Sequence, residues 1–241
     1  VCSFGAQYLY PVPSVEDRVA AAMTAPLDAV VVAGRRVRPP EEVAWQWDLP
    51  ESDRRALLRW GLPDDDHMRP LFQTGPDPTL VPNLAGERER QAASPDERLY
   101  TLVHWGREEL RLRIGAVAGT GRVLKLQPKP TTVDDLPPVL RESNAGLYHP
   151  AVEFVSSSVA RFVETSWRQH VAGEIAAELW RDPHQPRYDA SPEEHEAWFS
   201  RLRDCERIIL KHIERIDGHV RADDTGTLWA TVVTELTHAG N

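Results

Sequence analysis

Leu110-Arg111-Leu112-Arg113-Ile114-Gly115-Ala116, the turn Ala118-Gly119-Thr120-Gly121, and then Val123-Leu124-Lys125-Leu126 decide the fold class. Leu110, Leu112, Ile114 and Ala116 alternate with Arg111, Arg113 and Gly115. A period of two places one set on each face of a strand. The glycines supply a flexible turn, and Leu124 and Leu126 resume the pattern around Lys125. Leu99 to Trp105 reads as another strand, joined through Gly106. Strands linked by short turns predict an antiparallel meander with one buried face. On this reading Leu110, Leu112, Ile114, Leu124 and Leu126 face helices. Arg111, Arg113 and Lys125 share the polar face, either as a solvated surface or as a partner-binding patch.

The helices that cover the sheet are read from the flanks. Ser156, Ser157 and Ser158 are candidate caps for a helix running to about Trp180. Val155, Val159, Val163, Trp167, Val171, Ile175 and Leu179 recur at every fourth residue, a spacing that drifts about 40° per step around a helix. The helix therefore bends near Gly173, or packs first on the sheet and later on another helix. Ser191-Pro192-Glu193-Glu194 combines a cap, a proline at the first helical position and an acidic third position. Trp198, Leu202, Cys205, Ile209 and Ile216 then form an apolar stripe with His212 in the gap. Leu228 to Val233 reads as a further helix, with a β-branched strand as the alternative.

Upstream, residues 51–60 read as a short helix, with Ser52 or Glu51 near its start and Ala56, Leu57 and Trp60 at helical spacing. Gly61 can adopt the left-handed conformation that ends it, and Pro63 prevents its continuation. Ser14 can cap a helix carrying Val15, Val19 and Ala22. Asp28 to Val32 reads as a short strand, broken by Gly34 and Pro39-Pro40. Residues 63–98 read as a long irregular connection, with one short strand as the alternative, anchored by Leu71, Phe72, Leu80 and Val81. The fold class is α+β: an antiparallel β-meander sheet with helices packed on one face, plus a C-terminal helical extension.

Composition narrows the function. The chain has 241 residues, 41% hydrophobic and 27% charged, with a formal net charge of −9. That acidic balance lacks the basic stripe of a nucleic-acid binder and would attract a basic partner. The arginine bias over Lys125, Lys129 and Lys211 reads as genome composition. No apolar run approaches the length of a membrane span, and no secretory leader pattern is seen. Cys2 and Cys205 form no disulfide framework, so a cytoplasmic setting is expected.

No catalytic signature is found: no GxSxG, HExxH, Walker loop or dinucleotide fingerprint. Gly119-Thr120-Gly121 joins two strands, so no helix N-terminus follows to hold a phosphate. Asp64-Asp65-Asp66-His67 could supply metal ligands, but reads better as a solvated acidic loop and a protein-binding surface. His212 reads as a core-edge histidine and Cys205 as a small buried hydrophobe. Trp60, Trp105, Trp167 and Trp198 each fit a core role. No catalytic residue, cofactor or metal site is expected. The candidate partner-binding residues are Asp64, Asp65, Asp66, Asp134 and Asp135, with Arg111, Arg113 and Lys125 as the second choice.

Trp60-Gly61-Leu62-Pro63 after an early helix, the meander turning at Gly119-Thr120-Gly121, and the stretch Phe154 to Trp167 resemble the SUKH superfamily of bacterial immunity proteins, most closely its fourth subfamily. The resemblance covers roughly residues 50–180. It implies a SUKH-like α+β core over 46–182, an N-terminal helix and strand elaboration over 1–45, and a C-terminal helical extension over 183–241. It implies a non-catalytic protein of bacterial competition that binds and neutralises a cognate polymorphic toxin, often a nuclease. The alternatives are a regulatory interaction module on the same fold and an unrecognised enzyme. A deep pocket with convergent titratable groups would favour the enzyme.

Overall fold

The computed structural model describes residues 12–65, 68–81, 84, 86–105 and 112–238. The chain opens with α1 (Val15–Thr24) and the single helical turn α2 (Leu27–Val30). It continues through β1 (Arg36–Val37), α3 (Glu41–Ala44), α4 (Glu51–Arg59), β2 (Leu62–Pro63), β3 (Met68–Pro70), β4 (Thr79–Leu80) and α5 (Glu87–Ala92). The meander follows as β5 (Arg98–Trp105), β6 (Leu112–Val117) and β7 (Val123–Leu126). Next come β8 (Thr131–Thr132), α6 (Pro138–Arg141), β9 (Tyr148–His149) and β10 (Val152–Ser156). The helices α7 (Val159–Ala176), α8 (Pro192–Ile216) and α9 (Leu228–His238) complete the fold. No helix among the described residues is long and apolar enough to cross a membrane.

The fold is α+β, and the meander is antiparallel. The main sheet is six-stranded in the order β10-β7-β6-β5-β3, with β4 also pairing β5. Gly119 and Gly121 turn it at φ of 78° and 71°, a region side chains rarely enter.

The facing of its side chains differs from expectation. Arg113 stands opposite Leu126, Gly115 opposite Leu124, and Ile114 opposite Lys125. Directly opposed residues share a face. Leu124 and Leu126 therefore lie on the side away from Ile114, and Arg113 and Lys125 lie on opposite faces. They form no common polar surface. Leu110 and Arg111 lie outside the described residues. The physical reason is that both faces are covered. Ile114, Ala116 and Val123 join the large apolar cluster with α7, whereas Leu124, Leu126, Val117 and Val152 join a smaller one with Ala93 at the end of α5. All of β7 is buried, so a lysine between leucines did not mark a wet face.

Asp28–Val32, expected as a strand, is instead α2 followed by extended Val31. Pro26 stands at the N-cap of this turn, with φ −53° and ψ 138°. Arg168 of α7 draws this bend inward, donating from Nη1 to Ala22 O at 3.2 Å and to Ala25 O at 2.8 Å. The flanking helices follow their sequence signals. The hydroxyls of Ser14, Ser158 and Ser191 accept the backbone N–H of Asp17, Arg161 and Glu194.

α7 is central, with α1, α2, α4, α8, α9 and β10 packed around it. That enclosure explains the drifting stripe. Near its start Phe162 meets Trp229 of α9, ring centroids 5.8 Å apart. Beyond its end Trp180 meets Trp198 of α8 edge-on at 6.1 Å. Along α8 the buried stripe is Trp198, Leu202, Cys205, Ile209 and Ile213; Ile213 takes the place assigned to His212 and Ile216. Burial pushes the Cys205 thiol up to about 12. Leu228–His238 is helical.

Candidate functional site

The three segments that carry the resemblance meet at one junction. Gly61 ends α4 at φ 59°, and a Cβ there would lie 2.2 Å from Val37 O, so only glycine brings this turn against β1. Trp167 of α7 reaches back to the turn, its Nε1 donating to Trp60 O at 3.2 Å and Gly61 O at 3.1 Å. Asp53 of α4 is buried and its Oδ1 accepts the Ala160 N–H at 3.0 Å. Its Oδ2 sits 1.8 Å from where a Cβ on Gly121 would be. Burial raises the Asp53 pKa, against the backbone hydrogen bonds from Ala160 and Val159.

A second buried carboxylate holds the connection between β10 and α7. Asp217, after α8, accepts from Ser156 Oγ at 2.7 Å and from the Ser157 N–H at 2.6 Å. Burial alone would raise its pKa. The hydrogen bonds from Ser157, Ser156 and His219 outweigh that and hold it low.

The chain leaves this junction into the acidic loop. Asp64 is exposed, and its N–H donates to Arg35 O at 2.6 Å. Asp65 turns inward. Its Oδ2 lies 2.9 Å from Nδ1 of buried His170, and its Oδ1 accepts the Met68 N–H at 3.2 Å. A carboxylate only accepts, so Nδ1 carries the imidazole proton. Nε2 then faces Arg35 Nη1 at 3.4 Å, and Arg35 is ion-paired with Glu174. α7 thus grips the turn through Trp167 and the acidic loop through His170. Asp66 and His67 lie outside the described residues. Among the described residues, no group of three or more His, Cys, Asp or Glu is placed to hold a metal ion.

Asp134 and Asp135 lie elsewhere, in the excursion between β8 and β9. Asp135 accepts the Thr132 N–H at 2.8 Å and pairs with Lys129; the Lys129 hydrogen bond, before the others, holds its carboxyl low. Asp134 is exposed. Two of the three basic candidates are built into the sheet. Lys125 is buried and ion-paired with Glu153, its cross-strand neighbour. Arg113 is partly buried, which lowers its pKa, and it donates to Thr79 Oγ1 at 3.3 Å. Arg111 lies outside the described residues.

The excursion also exposes two adjacent apolar side chains, Val139 at 83% and Leu140 at 46%. Sequence reasoning missed them because a Pro-rich stretch without periodicity carries no face. The only signal was Val139-Leu140 following directly on Pro137-Pro138.

Compared with known proteins, the chain matches the SUKH-4 immunity protein family over residues 22–235. That span takes in the junction, the acidic loop, the excursion and all of α8. No curated protein and no solved structure matches the chain.

Proposed function

The chain belongs to the SUKH-4 immunity protein family, and on that premise we propose that it neutralises one cognate polymorphic toxin by direct, stoichiometric binding in the cytoplasm of the cell that makes both. The family match carries this reading: it extends from the end of α1 into α9 and includes the junction, the acidic loop and the excursion. The partner presents a basic working surface, as a nuclease does. Support comes from the net charge of −9 and from two exposed carboxylates, Asp64 and Asp134, that have no ion pair among the described residues. Such groups raise the local negative potential and speed encounter with a basic surface, an effect that salt screens.

Within this reading Asp64 and Asp134 meet the partner, together with Asp66. Asp65 and Asp135 hold their segments in shape through His170 and Lys129. Lys125 and Arg113 serve the sheet.

The test is co-expression with the toxin encoded by the adjacent gene. The reading expects that this chain restores growth and co-purifies with the toxin. Restored growth without a physical complex, or a complex without protection, contradicts it.

A further inference from the structure

Resting on the immunity reading, we infer that the excursion between β8 and β9 is a preformed plug that inserts Val139 and Leu140 into an apolar cleft with a basic rim on the toxin.

The excursion stands off the body of the protein. None of residues 128–149 belongs to either apolar cluster. Its root is fixed by the pairs Thr131 with His149 and Thr132 with Tyr148. Gln127 Nε2 donates to His149 O at 3.0 Å and to Pro150 O at 3.1 Å, and the Tyr148 hydroxyl donates to the buried Glu89 carboxylate at 2.9 Å.

Beyond that root the segment is held by itself. Asp135 closes a capping box with Thr132. Arg141 staples the tip, its Nε donating to Leu136 O and its Nη2 to Asp134 O, both at 3.0 Å. Asn144 Nδ2 donates to Leu140 O at 2.9 Å. Pro137 and Pro138 fix two more backbone angles. A segment already ordered in its bound shape loses little conformational freedom on binding.

What the excursion presents is apolar. Single exposed apolar side chains are ordinary on a protein surface. Among the large hydrophobics that are exposed, Val139 and Leu140 are the only two adjacent in sequence among the described residues. Nothing beneath them needs them: they cover no core.

Charge decides the occupant. Asp134 and Glu142 flank the pair, and neither has an ion pair among the described residues. Arg141 is turned onto the Leu136 and Asp134 carbonyls and keeps its charge, and Lys129 pairs with Asp135, so the excursion as a whole is left with one net negative charge. A cleft that accepts this tip therefore gains from basic groups at its rim. A second copy of this chain would set Asp134 and Glu142 against like charges, which opposes association.

Two variants of the full chain test the proposal against a catalytically inactive form of the adjacent-gene toxin. One is Val139→Ser with Leu140→Ser. In the other, residues 133–147 are replaced by Asn-Gly, which suits a two-residue hairpin between β8 and β9. Both are expected to melt within about 2 °C of wild type, since they touch no core. Both should bind the toxin at least about 100-fold more weakly, chiefly through faster dissociation. Asp134→Asn with Glu142→Gln should slow association at low salt. Binding of the shortened chain within about threefold of wild type overturns the plug while leaving the immunity reading intact. So does a wild-type dimer that the serine variant dissociates. If the wild-type chain itself does not bind the toxin, the immunity reading falls and this inference with it.

Discussion

Asp53 of α4 caps α7 from outside that helix, its Oδ1 accepting the Ala160 N–H at 3.0 Å. The same carboxylate abuts Gly121 in the meander turn so closely that a Cβ there would sit 1.8 Å from Oδ2. One side chain thus ties together α4, the meander turn and the central helix.

Removing that tie should be costly at either end. Asp53→Ala is expected to lose about 1–2 kcal/mol, the range for a lost helix cap. Gly121→Ala forces a side chain into the left-handed region, worth about 1–2 kcal/mol by itself, and collides with Asp53 as well. Because the two residues touch, the losses should not add. Urea melts of both single variants and the double variant check this. Additive losses would show the two residues to be independent.

Phe162 is fully buried, its ring packed against Trp229 of α9. Phe162→Ala should cost about 3–5 kcal/mol. A loss below about 1 kcal/mol in denaturant melts would mean that this face of α7 is not in the core.

The strands and helices that announced themselves did so through strong local chemistry. Period two marked β6, glycines marked its turn, and Ser191-Pro192 marked α8. What stayed hidden depended on tertiary partners. Leu124 and Leu126 alternate as they should, but alternation does not say which of two covered faces they enter. β10 was masked by the serines that follow it. α5 reads as a charged loop because its buried residue is a carboxylate, Glu89, satisfied by the Ala151 N–H and the Tyr148 hydroxyl. The acidic loop was legible as a surface, yet nothing local showed that His170, 105 residues away, turns Asp65 inward.

Acid should destabilise the fold partly through Asp217. Its folded pKa lies below its unfolded value, which is about 4. The ionised form therefore favours the fold. Its contribution is complete above about pH 4 and is lost as pH falls through the folded value. Asp217→Asn should be less stable than wild type at neutral pH and lose less stability on acidification. Asp53 has the opposite sign: its pKa is raised, so its ionisation weakens the fold as pH climbs through the window above about 4. Urea melts at a series of pH values read both slopes. An Asp217→Asn variant with the wild-type acid limb would contradict the assignment.

Lys125 and Glu153 form an ion pair across β7 and β10, with side chains only 10% and 13% exposed. Lys125→Met strands the Glu153 carboxylate and should cost about 3 kcal/mol. Adding Glu153→Gln should recover part of that loss. Toxin affinity should not change in the double variant, because this pair lies inside the fold. A double variant that remains well folded but binds weakly would return Lys125 to the docking surface.

The central claim, neutralisation by binding, is tested most directly by titrating this protein into a fixed amount of purified, active toxin from the adjacent gene and following toxin activity. The account predicts a linear fall that reaches zero at one protein per toxin, with full activity recovered when the complex is separated. Complete loss of toxin activity at substoichiometric protein, with the toxin or its product chemically altered, would contradict it.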